Sequence, residues 1–177
     1  MKAPFSPYLA RIAPGLRTLV DALAADFDYV SVLSTDSVGW RIQISQQAKS
    51  VSNQSMTTER GSVVRVWKDG RISEAAFNEF DPASPETTLT AVRSALAAQT
   101  ALLEATASAV YDTPKPADEP GVIFVEKEAD LLPEACDQAA LVAQMTALSD
   151  RGMERAEGAL DVMVGATSTH ISKLFLT

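Results

Sequence analysis

Few side chains in this 177-residue sequence could act as a nucleophile, an acid–base group or a metal ligand. It contains one histidine, His170, and one cysteine, Cys136. A catalytic histidine needs a positioned partner, and His170 stands alone in a terminal run that alternates like a strand, so we interpret it as a sheet-surface residue. Cys136 lies beside Glu134 and Asp137, which are not the surroundings of an activated thiolate, and we interpret it as a small helix residue.

The serines and the acidic clusters also lack a pattern that performs chemistry. Ser62 and Ser73 have no histidine near them in the sequence, and no G-x-S-x-G motif is present, so a hydrolase triad is unsupported. The acidic stretches 112–119 and 126–130 lack the D-x-D-x-D-G spacing of a calcium loop, and we interpret them as solvated faces. We therefore predict no catalytic, cofactor-binding or metal-binding residue in this chain.

The composition restricts the class of function. The hydrophobic fraction of 46% predicts a packed core. The 15 basic and 23 acidic residues give a net charge of -8, and the basic residues form no stripe, so we expect no nucleic-acid partner. A single cysteine excludes an intrachain disulfide. Residues 1–7 lack the apolar core of a signal peptide. No run of about 18 apolar residues, the length of a membrane-spanning helix, is present. We expect a cytoplasmic protein that has no membrane partner.

A hairpin over residues 62–78 is the strongest structural signal. Asp69-Gly70 separates two runs that can each form a strand, and this dipeptide favours a two-residue turn because both central positions need positive φ. Arg65 alternates outward and is predicted to be solvated. Trp67 in the hairpin and Trp40 upstream are predicted to pack in the core, because aromatic residues on alternating strands usually do, although each could instead anchor a partner.

Periodicity and turn residues predict the other elements. In the first half these are a helix over 15–26 begun by Pro14, strands over 28–33 and 40–44 joined by a turn at Val38-Gly39, and an edge strand or mobile loop over 46–58. Then come a helix from Ser84 through Leu103, an exposed Pro-rich connector over 111–121, a buried strand over 122–125, a helix over 134–155 stopped by Gly158, and a final pair of strands over 159–165 and 169–176. This order predicts a single α+β domain over 1–177, in which a mixed, mostly antiparallel sheet packs against two or three helices.

A weak similarity between two segments of the sequence suggests a duplicated helix–strand–strand unit. A shift of 132 residues places apolar and polar positions of the first strands on those of the last: Val30, Val32, Thr35, Ile42 and Ile44 fall on Val162, Val164, Thr167, Leu174 and Leu176. Chance similarity between alternating segments is the other explanation. A duplication would build one sheet from both ends of the chain, and it predicts that residues 28–44 and 159–176 share that sheet with the hairpin.

Several segments resemble the N-terminal domain of the TldD/PmbA proteins, which are also called modulators of DNA gyrase and are regarded as metallopeptidases. Residues 61–78 read G-x-x-V-R-V-x-x-D-G-R, then small and apolar residues, then Asn. Residues 28–32 follow a helix as the family's A-D-Y-A-E-V strand does, and Ser84-Pro85-Glu86 opens an alanine-rich helix where the family has one. Residues 160–164 and 168–171 resemble the strands that precede a family S-x-G segment.

The resemblance implies a non-catalytic N-terminal domain that supports a catalytic domain, helps to enclose its chamber and contributes to dimerisation, as a homodimer or with a paired family subunit. The family's zinc site is a helical His-Glu-x-x-x-His type motif, and one histidine cannot supply its paired ligands. We therefore expect zinc only in a C-terminal catalytic part that this chain lacks. The resemblance also places Arg65 and Arg71 beside the chamber. Unfolded peptide could pair with a strand edge within 46–58.

A stand-alone peptide- or protein-binding scaffold with no enzymatic activity is the alternative. A gene that continues past Thr177 into S-x-G and a His-Glu-x-x-x-His segment would favour the first interpretation, and a stop codon there would favour the second. The apolar end over 174–177 indicates truncation. An independent small-molecule enzyme ranks third, because the sequence offers no nucleophile–base or metal constellation.

Overall fold

The computed structural model describes residues 2–53, 59–105, 113–117 and 121–177 of the chain. Within these ranges the elements are α1 (Pro7–Leu23), β1 (Tyr29–Ile44), β2 (Lys49–Ser52), β3 (Arg60–Lys68), β4 (Arg71–Phe77), α2 (Pro85–Ala105), α3 (Gln138–Arg155) and β5 (Val164–Leu176). A 3₁₀ turn over Pro133–Ala135 precedes α3. No helix in these ranges is long and apolar enough to cross a bilayer.

β3 and β4 form the predicted hairpin. Asp69 and Gly70 have φ angles of 51° and 77°, which are the positive values that a two-residue connection needs. The antiparallel register runs from Ser62 opposite Phe77 to Lys68 opposite Arg71. The local Asp-Gly signal therefore fixes the turn and, with it, the register of both strands.

The five strands form one curled antiparallel sheet, so the predicted α+β class is confirmed. β1 pairs with β3 through Tyr29–Asp36 and with β2 through Arg41–Ile44. β5 also pairs with β1. The two ends of the chain therefore share a sheet with the hairpin, as the sequence predicts.

The predicted turn at Val38-Gly39 is wrong, because β1 runs through it without interruption. A Cβ atom at Gly39 would lie 2.5 Å from the carbonyl oxygen of Ser168, so glycine is needed here for close approach to β5 and not for a bend. The predicted pair of terminal strands is likewise one strand, β5. Both long strands follow a helix, and the duplication stays a prediction.

The chain divides into two compact units, which we name by their cores. The large-core unit comprises Phe5–Asp36, Arg60–Phe124 and Ser172–Thr177. The small-core unit comprises Met1–Pro4, Ser37–Glu59 and Val125–Ile171.

α1, in the large-core unit, begins earlier than predicted. The Ser6 hydroxyl accepts a hydrogen bond from the Leu9 N–H and Pro7 is the first helical residue, so Ser6-Pro7 is the true start signal. Pro14 lies inside the helix and not at its start. An interior proline costs about 3 kcal/mol, and the burial of one apolar face offsets this cost. That face comprises Leu9, Ile12, Leu16, Leu19, Val20 and Leu23.

The core of this unit is made by α1, α2 and one face of the sheet. α2 begins at Pro85, as predicted, and contributes Leu89, Val92 and Leu96. The sheet contributes alternate residues that include Val30, Val32, Val64 and Val66. The side chain of Leu103, with which the predicted helix ends, lies outside those that the structure describes.

The small-core unit is organised around Trp40, whose core position is confirmed. Its Nε1–H donates to the Pro133 carbonyl oxygen at 3.2 Å, which satisfies the buried indole. Ile42, Ile44 and Met145 complete the buried cluster. α3 begins at Gln138, because Asp137 caps it by accepting from the Ala140 N–H. Gly158 follows the helix end with a φ of 79°.

The predicted buried strand over 122–125 is wrong. Val122, Ile123, Phe124 and Val125 are 97%, 90%, 68% and 77% exposed and belong to no strand. A short apolar run predicts burial but does not say against what. Of the predicted 46–58 edge strand or loop, residues 49–52 form β2 and 54–58 lie outside the described residues. In the 111–121 connector, 113–117 and 121 lack regular structure, and the other residues lie outside the description.

Candidate functional surfaces

The outer edge of β4 (Arg71–Phe77), which we call the β4 edge, is bound by a side chain from α2. β4 is at the end of the strand order β2-β1-β3-β4. At Glu74, the main-chain N–H donates to Gln99 Oε1 at 3.3 Å, and Gln99 Nε2 donates to the main-chain carbonyl oxygen at 2.6 Å. This pair of bonds imitates the two that an adjacent antiparallel strand would make. Gln99 therefore occupies the position of a neighbouring strand.

Beside the hairpin turn lies an open cleft of about 540 Å³. The Thr113 N–H donates to the Gly70 carbonyl oxygen at 2.7 Å, and Trp67 Nε1 donates to the Thr113 carbonyl oxygen at 2.7 Å. Asp69 and Pro114 complete the lining. Trp67 is thus half-buried at this cleft and not in the core as predicted. An indole, main-chain groups and one carboxylate can hold a small polar group, but they do not make a nucleophile–base pair.

Arg65 projects outward, as the alternation of β3 predicts. Its Nε lies 2.6 Å from Glu74 Oε1, and the two side chains are 54% and 46% exposed. Such an exposed pair contributes little to stability. Arg71 stands opposite Lys68 next to the hairpin turn and is half-buried. Whether Arg65 and Arg71 border a catalytic chamber stays a prediction.

His170 is more buried than the sequence suggests and has a partner. Its side chain is 13% exposed, and Nδ1 lies 2.9 Å from Glu134 Oε1. A carboxylate at this position orients the imidazole. Sequence reasoning missed the pair because 36 residues separate its members. Cys136 follows the 3₁₀ turn and packs partly buried against the Trp40 cluster, so the predicted helix position is wrong.

A polar cluster around Asp36 was also missed. Asp36 Oδ1 accepts from Arg60 Nε at 3.0 Å, and Oδ2 accepts from the Ser6 hydroxyl. The Ser6 N–H donates to Ser172 Oγ at 3.0 Å. The Arg60 guanidinium lies 3.9 Å from the ring centroid of Tyr8. These contacts tie the start of α1 to the sheet, so we assign them a structural role.

The residues described by the structure contain no group of three or more His, Cys, Asp or Glu side chains that could hold a metal ion. Of the serines considered, Ser62 is buried and its hydroxyl lies 2.7 Å from that of Ser34. That contact pairs two cross-strand hydroxyls and does not activate either of them.

The fold is found in solved structures of other proteins. No protein-family model and no curated protein sequence matches the chain. A "putative modulator of DNA gyrase" from Bacteroides thetaiotaomicron superposes with a TM-score of 0.63 and 12% identity, over 96% of this chain and 37% of that protein. TldE from Thermococcus kodakarensis superposes with a TM-score of 0.61 and 15% identity, over 91% of this chain and 34% of that protein. A second such modulator, from Thermotoga maritima, superposes with a TM-score of 0.57 and 11% identity, over 93% of this chain and 35% of that protein.

This chain shares its fold with these three proteins. The chain spans about a third of the length of each of them, so the match covers almost all of this molecule but a minor part of theirs. At 11–15% identity the likeness concerns the path of the main chain and does not transfer individual side-chain roles.

Proposed function

We propose that this chain is the non-catalytic N-terminal domain of a TldD/PmbA-like metallopeptidase that acts on flexible peptides. In this role it supports the catalytic domain, helps to enclose its chamber and contributes to dimerisation. The observation that carries the proposal is the shared fold with TldE and two gyrase-modulator structures over 91–96% of this chain. The resemblance of residues 61–78 to the family's hairpin segment supports it independently of the fold.

The chemistry of the chain agrees with a supporting role. The full sequence has one histidine, so two imidazoles cannot converge on a zinc ion within one copy. A catalytic partner must therefore supply the metal, its ligands and the activated water. Peptide capture needs no catalytic side chain, because a sheet edge can hold an extended chain by main-chain hydrogen bonds.

β2 is the edge to which the proposal assigns peptide capture. It lies at the end of the strand order and pairs with β1 through Arg41–Ile44. Its residue Val51 is half exposed and stands opposite Ile42. An extended peptide that paired with β2 would continue the antiparallel sheet and bury this side chain.

The experiment that tests the family role is to read the gene beyond the codon for Thr177 and to assay its full product. We expect the reading frame to continue into a His-Glu-x-x-x-His segment, and we expect the full product to cleave an unfolded protein such as casein in a zinc-dependent manner. Removal of residues 1–177 from that product should reduce cleavage. A stop codon at position 178 would instead favour the stand-alone scaffold, which the exposed apolar residues 122–125 also favour.

Peptide capture is tested separately. We expect fluorescently labelled unfolded casein to bind the chain, and Val51→Pro to weaken binding because proline removes a main-chain donor from β2. The control Leu148→Ala alters an exposed apolar residue on α3 and should bind as the wild type does. If the wild type, Val51→Pro and Leu148→Ala all bind casein with equal affinity, the peptide does not bind at β2.

A further inference from the structure

Residues 113–117, Thr-Pro-Lys-Pro-Ala, which we call the TPKPA segment, have a sequence that favours a polyproline II helix. A proline ring fixes φ at about −65°, and the residue before a proline is restricted to extended conformations. The prolines at 114 and 116 therefore restrain each of the residues 113–116 to extended backbone. In the structure the segment is neither α-helix nor strand, which agrees with this expectation.

The TPKPA segment packs on one side. Thr113 and Pro116 are half-buried, whereas the other three residues of the segment are exposed. A polyproline II helix has about three residues per turn, so residues 113 and 116 lie on the same side of it. The segment is therefore seated on the protein by one face and presents the rest to water.

The seat is the tip of the β3–β4 hairpin, and it holds the main chain of Thr113 at both ends. The Thr113 N–H donates to the Gly70 carbonyl oxygen at 2.7 Å, and the Thr113 carbonyl oxygen accepts from Trp67 Nε1 at 2.7 Å. Pro114 follows directly and lines the same cleft. Proline-rich segments dock in aromatic-lined grooves, and an indole offers both an apolar face and a donor.

The binding groups are positioned by the sheet and not by the segment that they hold. The turn at Asp69 and Gly70 is set by their positive φ angles. Trp67 stands opposite Tyr29 of β1 and Ile72 of β4, so the three side chains share one face of the sheet. Both hydrogen bonds go to the main chain of the TPKPA segment, so they do not read its side chains. Another extended segment that contains proline could make the same two bonds.

Space and charge restrict what else could bind there. With the TPKPA segment seated, an open cleft of about 540 Å³ remains between it and the hairpin tip. The charged residue of its lining is Asp69, and the chain as a whole carries a net charge of -8. These charges favour a peptide with lysine or arginine beside its prolines, as Lys115 is in the TPKPA segment.

We propose that the hairpin tip is a binding site for basic, proline-containing peptides of a partner protein, and that the TPKPA segment occupies it until such a peptide displaces the segment. The exchange replaces both hydrogen bonds by equivalent ones, and water can hold the half-buried Trp67 donor in between. A segment of the same chain competes at a high effective concentration, so it lowers the apparent affinity for a separate peptide. The proposal rests neither on the catalytic-domain role nor on peptide capture at β2.

The first experiment follows the indole N–H signals by NMR, because Trp40 and Trp67 are the two tryptophans of the chain. The double variant Pro114→Ala/Pro116→Ala releases the restraint on the segment and should move the Trp67 signal. Addition of the blocked peptide Thr-Pro-Lys-Pro-Ala should return this signal toward its wild-type position. Trp40 donates to Pro133, so its signal is an internal control and should stay in place.

Fluorescence polarisation of the labelled peptide measures the competition. The double variant should bind the peptide at least about threefold more tightly than the wild type, because its site is vacant more often. Trp67→Phe in the same background should weaken binding about 2- to 10-fold, the value of roughly one net hydrogen bond. Pro82→Ala is the control, since it removes an exposed proline elsewhere in the large-core unit and should bind as the wild type does.

Two further comparisons test the chemistry and the place of binding. The peptide Thr-Ala-Lys-Ala-Ala should bind at least about threefold more weakly, because it is not ordered before it binds. Val51→Pro, which tests capture at β2, should leave binding of the TPKPA peptide unchanged. Circular dichroism establishes that each variant is folded. If the double variant does not fold, Trp67→Phe in the wild-type background and the alanine peptide still test the site.

Several outcomes would overturn the proposal. If millimolar peptide binds neither the wild type nor the double variant, the TPKPA segment is a permanent internal contact. Equal affinity for the alanine peptide would remove the preference for proline, and binding that survives Trp67→Phe unchanged would lie at another site. A wild-type dimer in sedimentation that the double variant abolishes would make the occupant the TPKPA segment of a second copy.

Discussion

β1 and β5 each contribute residues to both compact units, but the buried cores of the two units differ greatly in size. Among the described residues of the large-core unit, fifteen form one buried apolar cluster, most of them from two helices and the sheet. Among the described residues of the small-core unit, the buried cluster comprises Trp40, Ile42, Ile44 and Met145, and Trp40 donates a hydrogen bond to Pro133. Stability rises with apolar burial, so we expect the large core to resist opening more strongly. We therefore expect a single continuous strand such as β1 to differ in stability between its two ends.

The largest effect should come from a cavity in the large core. Leu16 is fully buried in α1, so Leu16→Ala should lower the free energy of unfolding by about 3 kcal/mol. Urea unfolding measures this loss. The matched control is Leu148→Ala on α3, which removes the same atoms from a half-exposed position and should cost less than about 0.5 kcal/mol. Equal losses would mean that α1 is not the centre of this core.

A second effect should come from crowding in the small-core unit. Gly39→Ala places a Cβ atom 2.5 Å from the Ser168 carbonyl oxygen, and main chain cannot move aside cheaply. We expect a loss of about 1–3 kcal/mol in thermal unfolding, with faster amide exchange in β2 and α3. Gly121→Ala is the control, because nothing lies within 4 Å of its added Cβ. A tolerated Gly39→Ala would show that β1 and β5 are farther apart here.

A smaller loss of stability should distinguish substitutions at the two tryptophans. Trp40→Phe removes the buried donor to Pro133 and part of the ring, so we expect a loss of about 1–2 kcal/mol. Trp67→Phe removes the donor to Thr113 at a half-buried site, where water can replace it, and should cost less. Hydrogen exchange should show the Trp40 loss in the small-core unit. A larger loss from Trp67→Phe would contradict the assigned cores.

The smallest effect is a dependence on pH at the surface. A hydrogen bond and the charge of Glu126 raise the pKa of Lys2 above its ordinary value of 10.5. The folded-state pKa therefore exceeds the unfolded one, so the stabilisation is fully present below the unfolded pKa and is lost as pH rises through the folded pKa. Lys2→Gln should lower the Tm slightly at neutral pH, and this difference should shrink above pH 10.5. Added salt should also reduce this difference in Tm, because the Lys2–Glu126 pair is exposed and is screened by ions. A difference in Tm that does not change with salt would point to another cause.

The sequence predicts those features whose signals are local. Asp69-Gly70 determines the hairpin because positive φ is needed at two adjacent positions, and both residues supply it. Ser84-Pro85 predicts the start of α2, since a fixed proline φ suits the first helical turn. The sequence also excludes a zinc site with paired histidines within one copy, because the chain has a single histidine.

Tertiary structure alone decides the features that depend on distant partners. Glycine at position 39 is compatible with a turn or with a tight strand contact, and only β5 selects the second. His170 and Glu134 are 36 residues apart, and Gln99 and Glu74 are 25 apart, so no local pattern joins them. The apolar run over 122–125 predicts burial, but only the packed chain shows that it is exposed. Local preference sets the conformation of a segment, whereas the surface that a side chain meets is set by the whole fold.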